Sequence, residues 1–570
     1  MTTSSRLLRS PFGLGLLLLL CGGLLGGATP RDDVEAVLRA RIEAARHGAT
    51  DVLTTAGAPA LQSQSMVVQY YQRTGFQSGW LGPNGPTPLV DSLTAVLHAA
   101  EADGLRPADY HVTAIDSLAR RLRQQTQAGA SLDEQSMADL DLLCTDAFLL
   151  YGAHLEGGRL SPDDLVPSWT LDRHHTDLPR RLQHALDTRT IRGSLHALRP
   201  PQPEYDNLRR ALAHHRRLAD RGGTPPLPNG PALKEGDRSA RVPVLRRQLQ
   251  ATGDLAAPSP ADPLLFDEPL QHAVGRFQER HGLTADGVVG PATRAALNVP
   301  AVSRIRKIEV NLERMRWLPR DLGTPHVMVN IADFWLRVVE DERSVLQMRV
   351  VVGTPYRQTP IFSDRISYLV FNPYWHVPHS IAVKDKLPDF KRNPALVSRL
   401  GFEVFQGWGT AAIDPSTIDW DGLSAPNFPY RLRQKPGPYN ALGEVKFMFP
   451  NRHNVYLHDT PSRSLFNRGA RGFSSGCIRV EHPVDLAAVL LRTNGGWTPD
   501  RVRTAMETNT ERAVVLKQPV PVHLFYWTAW MENGTLHLRP DIYDRDAAVA
   551  RALAAPLPPA ERALSDTSRP

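Results

Sequence analysis

Residues 456–482 read YLHDTPSRSLFNRGARGFSSGCIRVEH, and they set one histidine, His458, 19 positions ahead of one cysteine, Cys477. Small, turn-forming residues frame both. Cys477 closes Ser474-Ser475-Gly476-Cys477. Glycine before it lets the backbone pass close to another group, so the N–H groups around Ser475, Gly476 and Cys477 can converge on a developing oxyanion. A free thiol with a pKa of about 8.5 is only a few per cent thiolate at neutral pH, so a reactive cysteine needs a neighbouring base, and His458 fits that part. The same residues also read as a half-buried cysteine in a Gly/Ser turn beside a loop-capping histidine.

The surrounding chain has 570 residues, 42% hydrophobic and 22% charged, which is a globular composition with room for several domains. Its 48 prolines cluster in linkers such as 224–231, TPPLPNGP. A net charge of +7 is mild for this length, and no basic run with interleaved aromatics points to nucleic acid. Arg6 and Arg9 precede an apolar run from Phe12 to Leu25 and then Gly26-Gly27-Ala28. That is the pattern of an export signal over 1–28, cleaved before Thr29; the run is shorter than the roughly 20 apolar residues of a spanning helix, so an uncleaved anchor is the lesser alternative. Cys21 follows the bulky Leu20, which argues against a lipoprotein signal. Past this leader two cysteines remain, Cys144 in a run with helical apolar spacing and Cys477. The expectation is a core thiol and a lone reactive one, without the Cys/His spacing of a zinc site; no metal and no cofactor are expected.

Read in order, the chain is multidomain α+β. Residues 32–221 carry apolar positions three and four apart, as in Val34–Ile42 and Leu89–Leu97, and form an α-helical scaffold. Residues 233–298 form a compact module with Asp286-Gly287 in a turn. From 304 to 519 the pattern becomes mainly β, with alternation in His326–Ile331, an apolar stretch over Phe334–Val339, and strands at Val345–Val352, Ile366–Phe371 and Val445–Phe449. An insertion at about 384–434, with Trp408, Trp420, Asn427 and Pro429, interrupts these strands and reads either as a lid or as surface decoration. A β extension over 520–548 and a disordered tail over 549–570 complete the expectation.

His458-Asp459-Thr460-Pro461 followed by Ser474-Ser475-Gly476-Cys477-Ile478-Arg479 resembles the signature of the L,D-transpeptidase catalytic domain. Ser475 stands where many members carry a second histidine, so the base role falls on His458 alone. Gly79-Trp80, Asp103-Gly104-Leu105 and Tyr151–Leu155 are similar to the N-terminal scaffold of the larger, Gram-negative type of that family, as are the ends of the insertion, Val377–Ala382 and Gly437–Gly443. Residues 233–298, with Ala273–Gln278, Gly282-Leu283 and Asp286–Gly290, resemble the three-helix peptidoglycan-binding domain. The resemblance implies an exported, periplasmic cell-wall enzyme whose partners are peptidoglycan stem peptides, glycan strands and accessory wall proteins. It also implies acyl transfer through a Cys477 thioester, with release of D-alanine from a tetrapeptide stem and sensitivity to carbapenems. His458 is implied as base and Arg479 as a cation that positions a carboxylate, or equally as a structural ion pair. Tyr456, Trp375 and Ser474 are expected near the substrate, although both aromatics read equally well as core packing. An L,D-carboxypeptidase, a transferase that anchors proteins to the wall, and a non-catalytic wall-binding protein are the alternatives.

Overall fold

The computed structural model describes residues 30–47, 53–54, 59–165, 176–256 and 262–558. The expected export signal, 1–28, and the end of the expected tail, 559–570, lie outside the described residues. Among the described residues no helix is long and apolar enough to cross a membrane.

The N-terminal part is helical because one helix has no polar face. Glu134–Gly157, 24 residues long, is buried along nearly its whole length, and the helices Pro30–Arg46, Gln64–Arg73 and Leu178–Asp187 pack around it. Two of its buried aspartates, Asp141 and Asp146, tie down the loops. Asp141 accepts from the Tyr71 hydroxyl at 2.6 Å and the Trp80 N–H at 3.0 Å, and Asp146 accepts from the Ser63 N–H at 2.7 Å, which satisfies carboxylates that burial would otherwise make costly. Cys144 is fully buried in this core, as its spacing predicts, and burial pushes its thiol well above the ordinary range. Residues 233–298 form three helices, Val242–Ala251, Glu268–Arg280 and Pro291–Leu297, around Leu245, Leu249, Leu270 and Phe277.

The helix Ala301–Arg316 then runs against Pro203–Asp220 of the scaffold and Asp546–Ala554 near the C-terminus. Its buried face is unusually charged. Arg316 pairs with Glu313 at 2.6 Å and donates to the Asp103 carbonyl and the Tyr205 hydroxyl, each at 2.8 Å, so the scaffold and the β domain share one buried polar network.

The β domain is a mixed nine-stranded sheet in the order Gly472–Ser474, Arg343–Gly353, Ile478–Val480, Leu457–His458, Val445–Met448, Phe362–Phe371, Arg512–Phe525, His326–Asn330, Trp335–Glu340. Trp335–Glu340 also pairs with Arg343–Gly353, which closes the sheet on itself. Val327, Val329, Leu369, Phe371, Leu457 and Ile478 fill its interior.

Two expected boundaries are corrected. A domain end at 519 falls inside the 14-residue strand Arg512–Phe525, which pairs with both Phe362–Phe371 and His326–Asn330 and is therefore integral to the barrel. Pro519 and Pro521 look like strand breakers; Pro519 falls in the register shift between Val515 and Val520, and Pro521 stays in register opposite Arg365. The expected tail from 549 begins inside the helix Asp546–Ala554, whose Val549 and Leu553 pack into the barrel core and whose Ala552 carbonyl accepts from Arg159 at 2.9 Å.

The insertion is a subdomain with its own core. Trp375–His376, Tyr430–Gln434 and Phe402–Gln406 form a separate three-stranded sheet packed with Phe390, Trp420 and Phe428. Trp408 stands out from it at 93% exposure, so the aromatics of this segment are not all packing residues.

Candidate active site

Two short parallel strands build the site. Leu457 pairs with Ile478 and His458 with Arg479, and the Ile478 N–H donates to the Tyr456 carbonyl at 3.1 Å. Successive side chains on a strand face opposite ways. Since Leu457 and Ile478 point into the barrel core, Tyr456, His458, Cys477 and Arg479 gather on the other face. Tyr456 and His458 meet edge to face with ring centroids 5.7 Å apart.

The Cys477 loop is held by its own serine. Ser474 Oγ donates to the Cys477 carbonyl at 2.5 Å and accepts the Gly476 N–H at 3.1 Å. Gly476 has φ of +116°, a conformation open to glycine and strained for any L side chain. Beneath it, the segment after Arg343–Gly353 folds back so tightly that a Cβ on Gly353 would lie 2.0 Å from the Arg357 carbonyl oxygen. Thr359 Oγ1 donates to the Gly476 carbonyl at 2.8 Å, and the Tyr543 hydroxyl donates to the Gly353 carbonyl at 2.7 Å. Thr359 and Tyr543 were not legible as site residues along the sequence.

His458 is buried, and burial, followed by the Arg479 charge, pulls its pKa down to about 3. It is neutral at any working pH. Its Nδ1 lies 2.5 Å from the Asp459 carbonyl oxygen, which can only accept, so the proton sits on Nδ1 and Nε2 carries the lone pair. Cys477 keeps part of its surface open, yet burial of the sulfur pushes its pKa up, against hydrogen bonds from the Tyr456 backbone and side chain and the Arg479 charge. The thiol contacts the Asn454 carbonyl at 3.8 Å, and in this resting arrangement no hydrogen bond joins it to His458. A neutral thiol beside a neutral imidazole is a pair that must exchange a proton during attack.

The remaining expectations divide. Arg479 is half-buried with its Nε unpartnered, and no carboxylate lies within ion-pair distance among the described residues, so the structural ion pair is absent. The Gly476 N–H is already taken by Ser474, which corrects its expected part in an oxyanion site, while among the described residues the N–H groups of Ser475 and Cys477 have no intramolecular acceptor. Trp375, 8% exposed, packs inside the insertion against Phe402, with Lys386 over its ring; it is core, not a pocket wall. Tyr456 touches both the barrel core and the insertion core. Arg357, unnoticed in the sequence, bridges the two as well, donating to Ser475 Oγ at 2.8 Å and pairing with Asp385 of the insertion at 2.5 Å.

The raised thiol pKa makes a direct prediction. Thiolate forms as pH rises through that pKa, so alkylation of Cys477 by iodoacetamide is expected to go on accelerating through pH 9 instead of levelling off below it. Arg479→Gln removes a charge that favours thiolate and shifts the profile further alkaline. A plateau below pH 8 in the parent protein contradicts this electrostatic reading.

Three family models match the chain in succession: "Scaffold domain" over 65–212, "Putative peptidoglycan binding domain" over 238–297 and "L,D-transpeptidase catalytic domain" over 324–515. A protein of Haemophilus influenzae named "Putative L,D-transpeptidase" is 39% identical over 241 residues, covering 42% of this chain and 48% of its own length. The match thus spans about half of that relative. The "N-acetylmuramoyl-L-alanine amidase CwlM" of Mycobacterium tuberculosis is 42% identical over 81 residues, 13% of this chain and 20% of its own. Among solved structures, an L,D-transpeptidase of Xylanimonas cellulosilytica (residues 123–326) is 17% identical and covers 52% of this chain and 99% of its own, with a TM-score of 0.18 on which nothing rests.

Proposed function

Since the chain carries a scaffold domain, a peptidoglycan-binding module and an L,D-transpeptidase catalytic domain in that order, we propose that it cross-links peptidoglycan stem peptides through a Cys477 thioester. The observation that carries this reading is the gathering of Cys477, His458, Tyr456 and Arg479 on one face of two parallel strands. Cys477 Sγ attacks the carbonyl between the third residue and the terminal D-alanine of a tetrapeptide. His458 Nε2 takes the thiol proton and returns it to the departing D-alanine amine. The amine of a second stem then attacks the thioester, the C–S bond breaks, and the amine's proton passes by way of His458 to the thiolate. The N–H groups of Ser475 and Cys477 stabilise the oxyanion, while Arg479 and the Tyr456 hydroxyl steady the thiolate and the donor. In this reading the chain is exported to the periplasm and works at the cell wall, and a carbapenem acylates the same sulfur.

Mass spectrometry of the intact protein with disaccharide tetrapeptide tests the proposal. The expected result is a mass gain equal to the disaccharide tripeptide acyl group, with one D-alanine released, followed by dimer formation when a second stem is added. An unmodified Cys477 under these conditions, or an adduct on a serine, overturns the reading. Tripeptide alone in the presence of an acceptor identifies an L,D-carboxypeptidase.

The insertion is proposed as a lid that keeps water from the thioester. Removing residues 388–431 would take out the strand Phe402–Gln406 and the start of Tyr430–Gln434, both of the separate small sheet. A cleaner excision follows from the structure. Asn440 Nδ2 donates to the Pro373 carbonyl at 2.9 Å, so a short Gly/Ser bridge from Pro373 to Asn440 removes the whole subdomain with its core. The ratio of cross-linked dimer to tripeptide is expected to fall several-fold; an unchanged ratio leaves the insertion as surface decoration.

A further inference from the structure

Away from Cys477, a cavity of about 1230 Å³ opens where the scaffold, the three-helix module and the barrel meet. Each of the three contributes an arginine to its lining. Arg210 comes from the scaffold helix Pro203–Asp220, Arg276 from the module helix Glu268–Arg280, and Arg471 from the segment that enters the nucleophile loop six positions before Cys477. Arg210 donates to the Asn207 side-chain oxygen. Arg276 donates to the Asp254 backbone carbonyl at 2.8 Å, and Arg471 to the carbonyls of Val350, Arg468 and Phe334 at 3.2, 2.9 and 3.0 Å. None of the three has a carboxylate within ion-pair distance among the described residues. Their neighbours in the same cavity do: Arg280 pairs with Asp254, Arg539 with Asp333 and Arg337 with Glu532. Among the described residues six arginines line the cavity against four carboxylates, the three in these pairs and Glu279, so the cavity is left positive. Arg471 is only 7% exposed, and burial pulls its pKa down to about 10, so this cation is held at a cost that an arriving anion would offset.

The cavity continues into a second groove of about 660 Å³ that shares Asn207, Trp335, Arg337 and Glu532 with it. Trp335 is half-buried and presents a ring to this groove. His326, which also lines it, is 8% exposed and has its Nε2 buried without a partner among the described residues. Two joined grooves with an aromatic face, a free imidazole nitrogen and spaced cations suit a polymer of sugars that bears carboxylates better than a small anion. We propose that this joint cleft holds a peptidoglycan strand by its stem carboxylates, with Arg210, Arg276 and Arg471 as the receiving groups. The proposal rests on the reading of the chain as a peptidoglycan enzyme and adds a second contact surface, shared by all three parts.

The test measures binding of soluble, uncross-linked glycan strands with tetrapeptide stems to the full-length protein by biolayer interferometry. Arg210→Glu/Arg276→Glu is expected to weaken binding at least tenfold, and Arg210→Lys/Arg276→Lys to keep most of it. Both arginines are exposed, and thermal unfolding confirms that each variant is folded; the single Arg210→Gln and Arg276→Gln changes, expected to weaken binding about threefold each, serve if the double reversal is not. Parent binding should fall as salt rises. Neutral chitin oligosaccharides should bind far less tightly than the strands. Parent-like binding by the charge-reversed variant overturns the proposal, as does equal binding of chitin oligosaccharides. Polyglutamate binding as tightly as the strands reduces the cleft to a plain anion site and also overturns it. Failure of the catalytic reading shows separately, as absence of Cys477 acylation by disaccharide tetrapeptide in the parent protein.

Discussion

Cys477→Ala is expected to abolish covalent acylation by a tetrapeptide donor or a carbapenem, because no other described thiol has solvent access: Cys144 is fully buried in the scaffold core. The fold should survive, since alanine keeps the small volume at this place and leaves the Ser474 and Thr359 hydrogen bonds, which use the Cys477 and Gly476 carbonyls. His458→Ala should slow acylation by about 10²- to 10⁴-fold, the usual worth of a positioned general base. Cys144→Ala should react at close to the parent rate. Intact mass after timed exposure to the donor reads all three. Persistent acylation of Cys477→Ala, or loss of it in a folded Cys144→Ala, removes Cys477 from its role.

The largest effect on stability is expected at Glu313. Its carboxylate is fully buried, accepts the Leu160 N–H at 2.7 Å and pairs with Arg316, itself 1% exposed. Glu313→Ala leaves that guanidinium charged in the interior with only the Asp103 carbonyl and the Tyr205 hydroxyl as partners. Stranding one member of a buried pair costs about 3–5 kcal/mol. A buried pair is itself a weak source of net stability, because desolvation consumes much of its attraction. The double change Glu313→Leu/Arg316→Met should therefore be less destabilising than Glu313→Ala alone. Urea denaturation followed by circular dichroism measures both, and a loss below 1 kcal/mol for Glu313→Ala contradicts the account.

Parts of this molecule were open to reading along the chain. Helical apolar spacing around Cys144 located its core position, which lies in the enclosed helix Glu134–Gly157. Alternation located His326–Asn330, an apolar stretch marked Val445–Met448, and the small residues around His458 and Cys477, together with the resemblance to the L,D-transpeptidase signature, pointed to those two side chains. The strand through Pro519 was not visible, since a register shift that absorbs this proline exists only once the partner strands are in place. Trp375 was left undecided for a related reason: an aromatic beside a cleft and an aromatic in a core look the same until its neighbours are known.

The sequence by itself determined which residues are candidates for reactivity, the order of helical and β parts, and the small residues that allow the Cys477 turn, because these depend on side-chain chemistry and on local backbone freedom such as that of Gly476. Only the tertiary structure decided that Tyr456, His458, Cys477 and Arg479 share a face, that Thr359 and Tyr543 pin the loop, that Arg357 joins it to the insertion, and that three unpaired arginines from separate parts meet in one cavity. These arrangements arise from strand register and from the packing of distant segments. Register and long-range contact are properties of partners, and a residue's partners are not written beside it in the chain.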